Sequence, residues 1–141
     1  METTRNQQIV ELYRQRARHY DFTANLYYLL GYREWLYRQQ AIAALHLKPG
    51  DTVIENACGT GLNFALCQKA NGPQGKIIGV DVTDAMLAQA ERRIKSNGWE
   101  NVELAHRDAR DYPFPTGLMP LSQRLPCHLY RKVSRCLQTR S

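Results

Sequence analysis

Glu55 stands four residues ahead of Gly59 and six ahead of Gly61, in the run Glu55-Asn56-Ala57-Cys58-Gly59-Thr60-Gly61-Leu62-Asn63-Phe64. Glycine lets a backbone approach a ligand without a Cβ collision and reaches positive φ at no steric cost. A dinucleotide fingerprint needs Gly-x-Gly-x-x-Gly, so that pyrophosphate can rest on the following helix N-terminus. Here the third position is Phe64, whose ring obstructs that approach. A carboxylate at position 55 would also repel pyrophosphate, whereas it can face an ammonium group. The residue types therefore favour an ammonium-bearing ligand over NAD(P) or FAD.

Two further acids follow at useful places. Asp81 lies 20 residues beyond Gly61, and Asp108 sits in His106-Arg107-Asp108-Ala109-Arg110. Singly, each has a plainer role: Glu55 beside a helix N-terminus, Asp81 or Asp84 capping the next helix, Asp108 and Asp111 as loop acids. Jointly, those plainer roles require three coincidences at the mouth of one sheet.

The elements that would position the acids can be read from periodicity. Ile9, Leu12, Tyr13, Arg16 and Tyr20 fall near helical spacing, which predicts an amphipathic helix over 4–20. An apolar patch at 27–30 precedes Gly31, and Trp35, Leu36, Ile42, Ala43 and Leu45 predict one face of a second helix ending near His46. A Lys48-Pro49-Gly50-Asp51 turn leads to a β-branched run at 52–54, read as a buried strand. A helix over 63–70, a loop over 71–75 and a second strand over 76–80 come next. Thr83 or Asp84 can cap a helix through Met86, Leu87, Ala90 and Ile94, closed by Gly98, and 102–105 is the third strand. Strands alternating with helices at short spacing imply an α/β fold, a Rossmann-like doubly wound parallel sheet. In such sheets ligands bind beyond the carboxyl ends of the strands.

With acids and glycines at those ends, the chain resembles the class I S-adenosylmethionine-dependent methyltransferases, whose first motif is an acidic residue followed by Gly-x-Gly-x-Gly. Glu55-x-Ala57-x-Gly59-x-Gly61 matches it, with Ala57 in place of the first glycine. The resemblance implies S-adenosyl-L-methionine as cofactor, with Glu55, Ala57, Gly59, Thr60, Gly61 and Asn63 around it. It gives Asp81 the ribose hydroxyls, Val82 and Met86 the neighbourhood of the nucleoside, and Asp108 with the Ala109 backbone N–H the adenine edge. Tyr20-Asp21, Trp35 and Arg38 resemble the helical cap of members that methylate quinone precursors and phospholipid head groups, and Tyr20 is the lid contact so implied. The likeness runs over 13–116. The implied reaction is methyl transfer to a small-molecule or lipid acceptor; no catalytic residue is assigned, because later strands and loops usually help shape the acceptor pocket.

Length leaves room for one domain with a real core. We divide it into a helical cap over 1–48, a partial cofactor-binding α/β core over 49–117 and a basic tail over 118–141. The net charge of +6 invites a nucleic-acid reading, but residues 1–117 carry 14 Lys/Arg against 13 acids, and residues 118–141 carry five against none. The basicity belongs to the tail, so a nucleic-acid module acting through Arg124, Arg131, Arg135 and Arg140 is a minor alternative. Cys58, Cys67, Cys127 and Cys136 lack metal-ligand spacing and read as free thiols, with no metal site. No apolar run approaches the roughly 20 residues of a transmembrane span and no secretory signal is seen, so cytoplasm is expected.

The tail breaks the pattern. A class I sheet needs a fourth parallel strand beside the first, but 118–128 holds two prolines, no acids and no alternation. Codons can be chosen for 118–132 such that one restored base yields, in the shifted frame, a string reading as that strand, so a frameshift is one account of the tail. The expected consequences are a bare apolar edge on the first strand, marginal stability and weak or absent catalysis. The alternative function is then an inactive, truncated S-adenosylmethionine-binding fragment.

Overall fold

The computed structural model describes residues 2–17, 19, 22, 34–114, 119–120 and 136–139. The elements are α1 (Glu2–Arg16), α2 (Glu34–Ala44), β1 (Thr52–Asn56), α3 (Phe64–Asn71), β2 (Lys76–Asp81), α4 (Asp84–Asn97), β3 (Val102–His106), β4 (Met119–Pro120) and β5 (Cys136–Thr139). They form a sheet of order β3-β2-β1-β5-β4.

β1 and β2 run parallel from Thr52 opposite Lys76 to Asn56 opposite Val80, and β2 and β3 from Ile77 opposite Val102 to Asp81 opposite His106. This register aligns the carboxyl ends of all three strands, which is what brings Glu55, Asp81 and the segment after His106 to one edge. Val53, Ile54, Ile77 and Val80 are fully buried. Such near-continuous apolar runs are expected of parallel strands covered by helices. Phe64 and Cys67 of α3, Leu87 and Ala90 of α4, and Ala41, Ile42 and Leu45 complete the core. α4 ends where Gly98 takes the left-handed conformation, φ 65°, and its N–H returns to the Ile94 and Lys95 carbonyls.

Three expectations change. The first helix ends at Arg16, short of 20, and Tyr20 lies outside the described residues, as does the patch at 27–30. α2 does not bury the whole expected face: Trp35 and Leu36 are 41% and 40% exposed and Ala43 is exposed too, while Ala41, Ile42 and, just past the helix, Leu45 enter the core. The edge of β1 is not bare. β5 runs antiparallel along it, Thr52 opposite Thr139 to Glu55 opposite Cys136, and β4 pairs with β5 in turn. Unpaired backbone groups on a buried strand are costly, and an antiparallel neighbour satisfies them without a crossover helix.

Candidate functional site

The turn after β1 alternates into the left-handed region, with φ of 50° at Ala57, 57° at Gly59 and 75° at Gly61. Ala57 therefore holds the backbone that the missing first glycine would adopt, at a cost of about 1–2 kcal/mol for an L-residue. Several contacts fix the turn. Cys58 N–H donates to the Val80 carbonyl and Gly61 N–H to the Cys58 carbonyl, both at 3.0 Å. Gly59 N–H donates to Asp81 Oδ2 at 2.8 Å, and Arg93 Nε of α4 reaches the Thr60 carbonyl at 2.9 Å.

The two glycines are needed for different reasons. A Cβ on Gly61 would lie 2.5 Å from two carbons of the buried Phe64 ring, whereas a Cβ on Gly59 would meet nothing within 4 Å. Gly61 makes room for a core aromatic, and Gly59 leaves space open. The sequence gives the ligand-approach role to both; sterically the open side is Gly59's. The Phe64 ring also reaches Gly79 of β2, where a Cβ would lie 2.7 Å from its Cζ.

Glu55 is 2% exposed, and its Oε1 accepts a hydrogen bond from Asn63 Nδ2 at 2.6 Å. Asn63 Oδ1 in turn accepts from Arg38 Nη1 of α2 at 2.7 Å. Below them, Cys67 is a buried free thiol pushed well above its ordinary value, by burial first and then by the charge of Glu55. Asp81, 8% exposed, takes the Gly59 N–H on one oxygen and the Thr83 N–H on the other, both at 2.8 Å. It thus joins the glycine turn to the start of α4. Thr83 is the N-cap there without a side-chain cap bond.

Asp108 differs. Its carboxylate accepts the backbone N–H of Arg110 at 2.9 Å and is gripped by the Arg110 guanidinium at 2.8–3.2 Å, which holds its carboxyl below the usual range.

Asp81, Val82, Asp108 and Ala109 line one cleft of about 210 Å³, together with Asn56, Ala57 and Arg107, and Val10 of α1 closes it from the side. α1 is tied down by Arg14, which donates to both oxygens of Asp84 at 3.2 and 3.1 Å. That pairing lowers the Asp84 carboxyl and raises the Arg14 guanidinium. Glu55, Gly59, Thr60, Gly61 and Asn63 form the adjoining turn. Met86 is buried in α4 rather than on the cleft; it belongs to the apolar stripe of Met86, Leu87 and Ala90. Sequence reasoning missed Val10, Asn56, Arg93 and Arg107. Strand alternation could have flagged Asn56, which faces opposite to Glu55, but no local signal marks Arg93, whose partner lies 33 residues away.

Three parallel strands with a glycine turn after the first and acids at all three strand ends define a class I methyltransferase-like protein. A SAM dependent methyltransferase from Aquifex aeolicus is similar, with a TM-score of 0.51 and 26% identity over 57% of this chain and 43% of that one. So is a dimethyladenosine transferase from Plasmodium falciparum, with a TM-score of 0.50 and 28% identity over 56% of this chain and 28% of that one. Residues 1–120 match the ubiE/COQ5 methyltransferase family, and the chain belongs to that family. Its relatives include the demethylmenaquinone methyltransferase of Symbiobacterium thermophilum, 31% identical over 79% of this chain and 44% of the relative. That of Geobacillus stearothermophilus is 26% identical over 82% and 48%. The chain thus spans under half the length of these relatives.

Proposed function

We propose that the chain binds S-adenosylmethionine at the ends of β1, β2 and β3 and serves methyl transfer to a small-molecule acceptor, a quinone of the kind named for its demethylmenaquinone methyltransferase relatives. The observation that carries this reading is the shared cleft of Asp81, Val82, Asp108 and Ala109 beside a turn whose Gly59 leaves space open. The polar groups fit the cofactor: the Glu55, Asp81 and Asp108 carboxylates can accept from an ammonium, the ribose hydroxyls and the adenine amino group, and the Ala109 N–H can donate to a ring nitrogen. Asp81 Oδ2 accepts the Gly59 N–H and Oδ1 the Thr83 N–H, and each oxygen retains a lone pair for a hydroxyl. Tyr20 remains the lid contact we assign by resemblance.

Bound there, the cofactor would supply an electrophilic methyl on a sulfonium, which leaves as a neutral thioether. The chain's residues need only hold and orient, and good placement can lower such a barrier by about 7–11 kcal/mol. Within this proposal 1–48 is the cap, 49–117 the cofactor-binding core and 118–141 a basic tail whose residues 136–139 cover the edge of β1 in place of a parallel strand; the setting is cytoplasmic. Among the described residues no helix is long and apolar enough to cross a membrane.

Titration calorimetry of the 141-residue chain with S-adenosylhomocysteine tests the reading. Micromolar binding is expected, and its absence removes the proposal. One observation favours a second reading, binding without turnover: the place beside β1 is taken by antiparallel β5. Binding with no methyl transfer to a quinone acceptor would select it.

A further inference from the structure

Asn63 occupies the N-cap of α3, where an Asn side chain ordinarily accepts a backbone N–H of the first turn, yet it makes no such bond. Its amide is spent elsewhere. Nδ2 donates to Glu55 Oε1 at 2.6 Å, and Oδ1 accepts from Arg38 Nη1 at 2.7 Å. The orientation is forced by chemistry, because a guanidinium can only donate and a carboxylate can only accept. Arg38 therefore decides which way the amide points, and the amide decides where the Glu55 carboxylate sits. Asn63 is buried and Glu55 more so, hence neither group can exchange its partner for bulk water at little cost.

From this we infer that Arg38 is a positioning residue: acting through the Asn63 amide, it aims the Glu55 carboxylate at the ammonium end of the ligand. The inference rests on the cofactor reading above. It makes α2, 17 residues ahead of Glu55 at Arg38, part of the binding apparatus rather than a cover. It also explains why an N-cap residue forgoes its cap.

The test compares two ligands that share a thioether nucleoside and differ in the amino-acid end. S-adenosylhomocysteine carries the ammonium; 5′-methylthioadenosine does not. In Arg38→Ala, calorimetry should show S-adenosylhomocysteine binding weakened roughly tenfold, as for loss of a charge-assisted alignment, with 5′-methylthioadenosine changed less than about twofold. Arg38→Lys, which keeps a cationic donor, should recover part of the loss. Asn63→Leu breaks the same relay at its other end and should reproduce the ligand-selective effect, which covers the case in which Arg38→Ala does not fold. Equal weakening of both ligands would assign Arg38 a merely structural role and overturn the inference. So would unchanged affinity for both. A wild-type chain that bound neither nucleoside would instead sink the cofactor reading and, with it, this one.

Discussion

At the ends of β1 and β2 the acids are buried: Glu55 is aligned by an amide with a guanidinium behind it, and Asp81 by two backbone N–H groups. At the end of β3 the acid is partly open to solvent, with a side-chain exposure of 26%, and its partner Arg110 is 61% exposed and only two residues away. β3 has no fully buried position, only half-buried and exposed ones, whereas β1 is buried through its centre. One side of the mouth is thus built by long-range packing, the other by a local loop. Disturbing the first should cost stability and binding together; disturbing the second should touch binding with little effect on folding.

The sharpest way to break that contrast is in the glycine turn. Gly61→Ala must adopt φ 75° and push a Cβ into the Phe64 ring, so a loss of about 3 kcal/mol or more is expected from strain plus overpacking. Gly59→Ala meets no protein atom and should lose only the roughly 1–2 kcal/mol of the left-handed backbone. Urea denaturation of the two variants measures the difference, and equal losses would mean that Phe64 is not held against Gly61. Next in size is Asp81→Asn. The replacement amide can accept only one of the two N–H groups and presents a donor to the other, so about 2 kcal/mol should be lost. Weaker S-adenosylhomocysteine binding should accompany it, and undiminished affinity would show that the ribose does not lie there.

The legible part of the molecule is the part decided locally. The period switch at Thr52, the loop at 71–75 and the left-handed stop at Gly98 placed β1, α3, β2, α4 and β3 to within a residue or two. The acids followed because register aligns strand ends. Where the reading fell short, the deciding contact is distant in sequence. The Arg38 to Asn63 bond spans 25 residues, and Val10 reaches the cleft only because α1 lies across α4. β5 is the clearest case, since a four-residue segment becomes a strand when a buried edge is available to template it. Met86 is buried on α4 beside Leu87, so its place near the nucleoside rests on the resemblance alone.

Ala57 sharpens the comparison from the stabilising side. Ala57→Gly removes about 1–2 kcal/mol of left-handed strain but costs roughly 0.4–1 kcal/mol through the larger unfolded ensemble, so a net gain between about 0 and 1.6 kcal/mol is expected. A few degrees' rise in Tm would support this. A fall would mean that the alanine methyl, on the wall of the cleft, packs usefully.

The smallest effect on stability belongs to the β3 side. Arg110→Ala removes an exposed, local ion pair, for which about 0.5 kcal/mol or less is expected. Its signature is in acid rather than at neutral pH. Because Arg110 depresses the folded-state Asp108 carboxyl, the pair's contribution is fully present above the ordinary carboxylate range and fades as pH falls through the depressed value. The variant's Asp108 should therefore titrate higher by NMR, while its melting at neutral pH barely moves. Affinity should respond more: the guanidinium grips the oxygens that an adenine amino group would need, so Arg110→Ala should tighten S-adenosylhomocysteine binding if Arg110 competes for them. A clear loss of affinity would mean instead that Arg110 holds Asp108 in its binding pose, and the β3 side would then be prebuilt like the other.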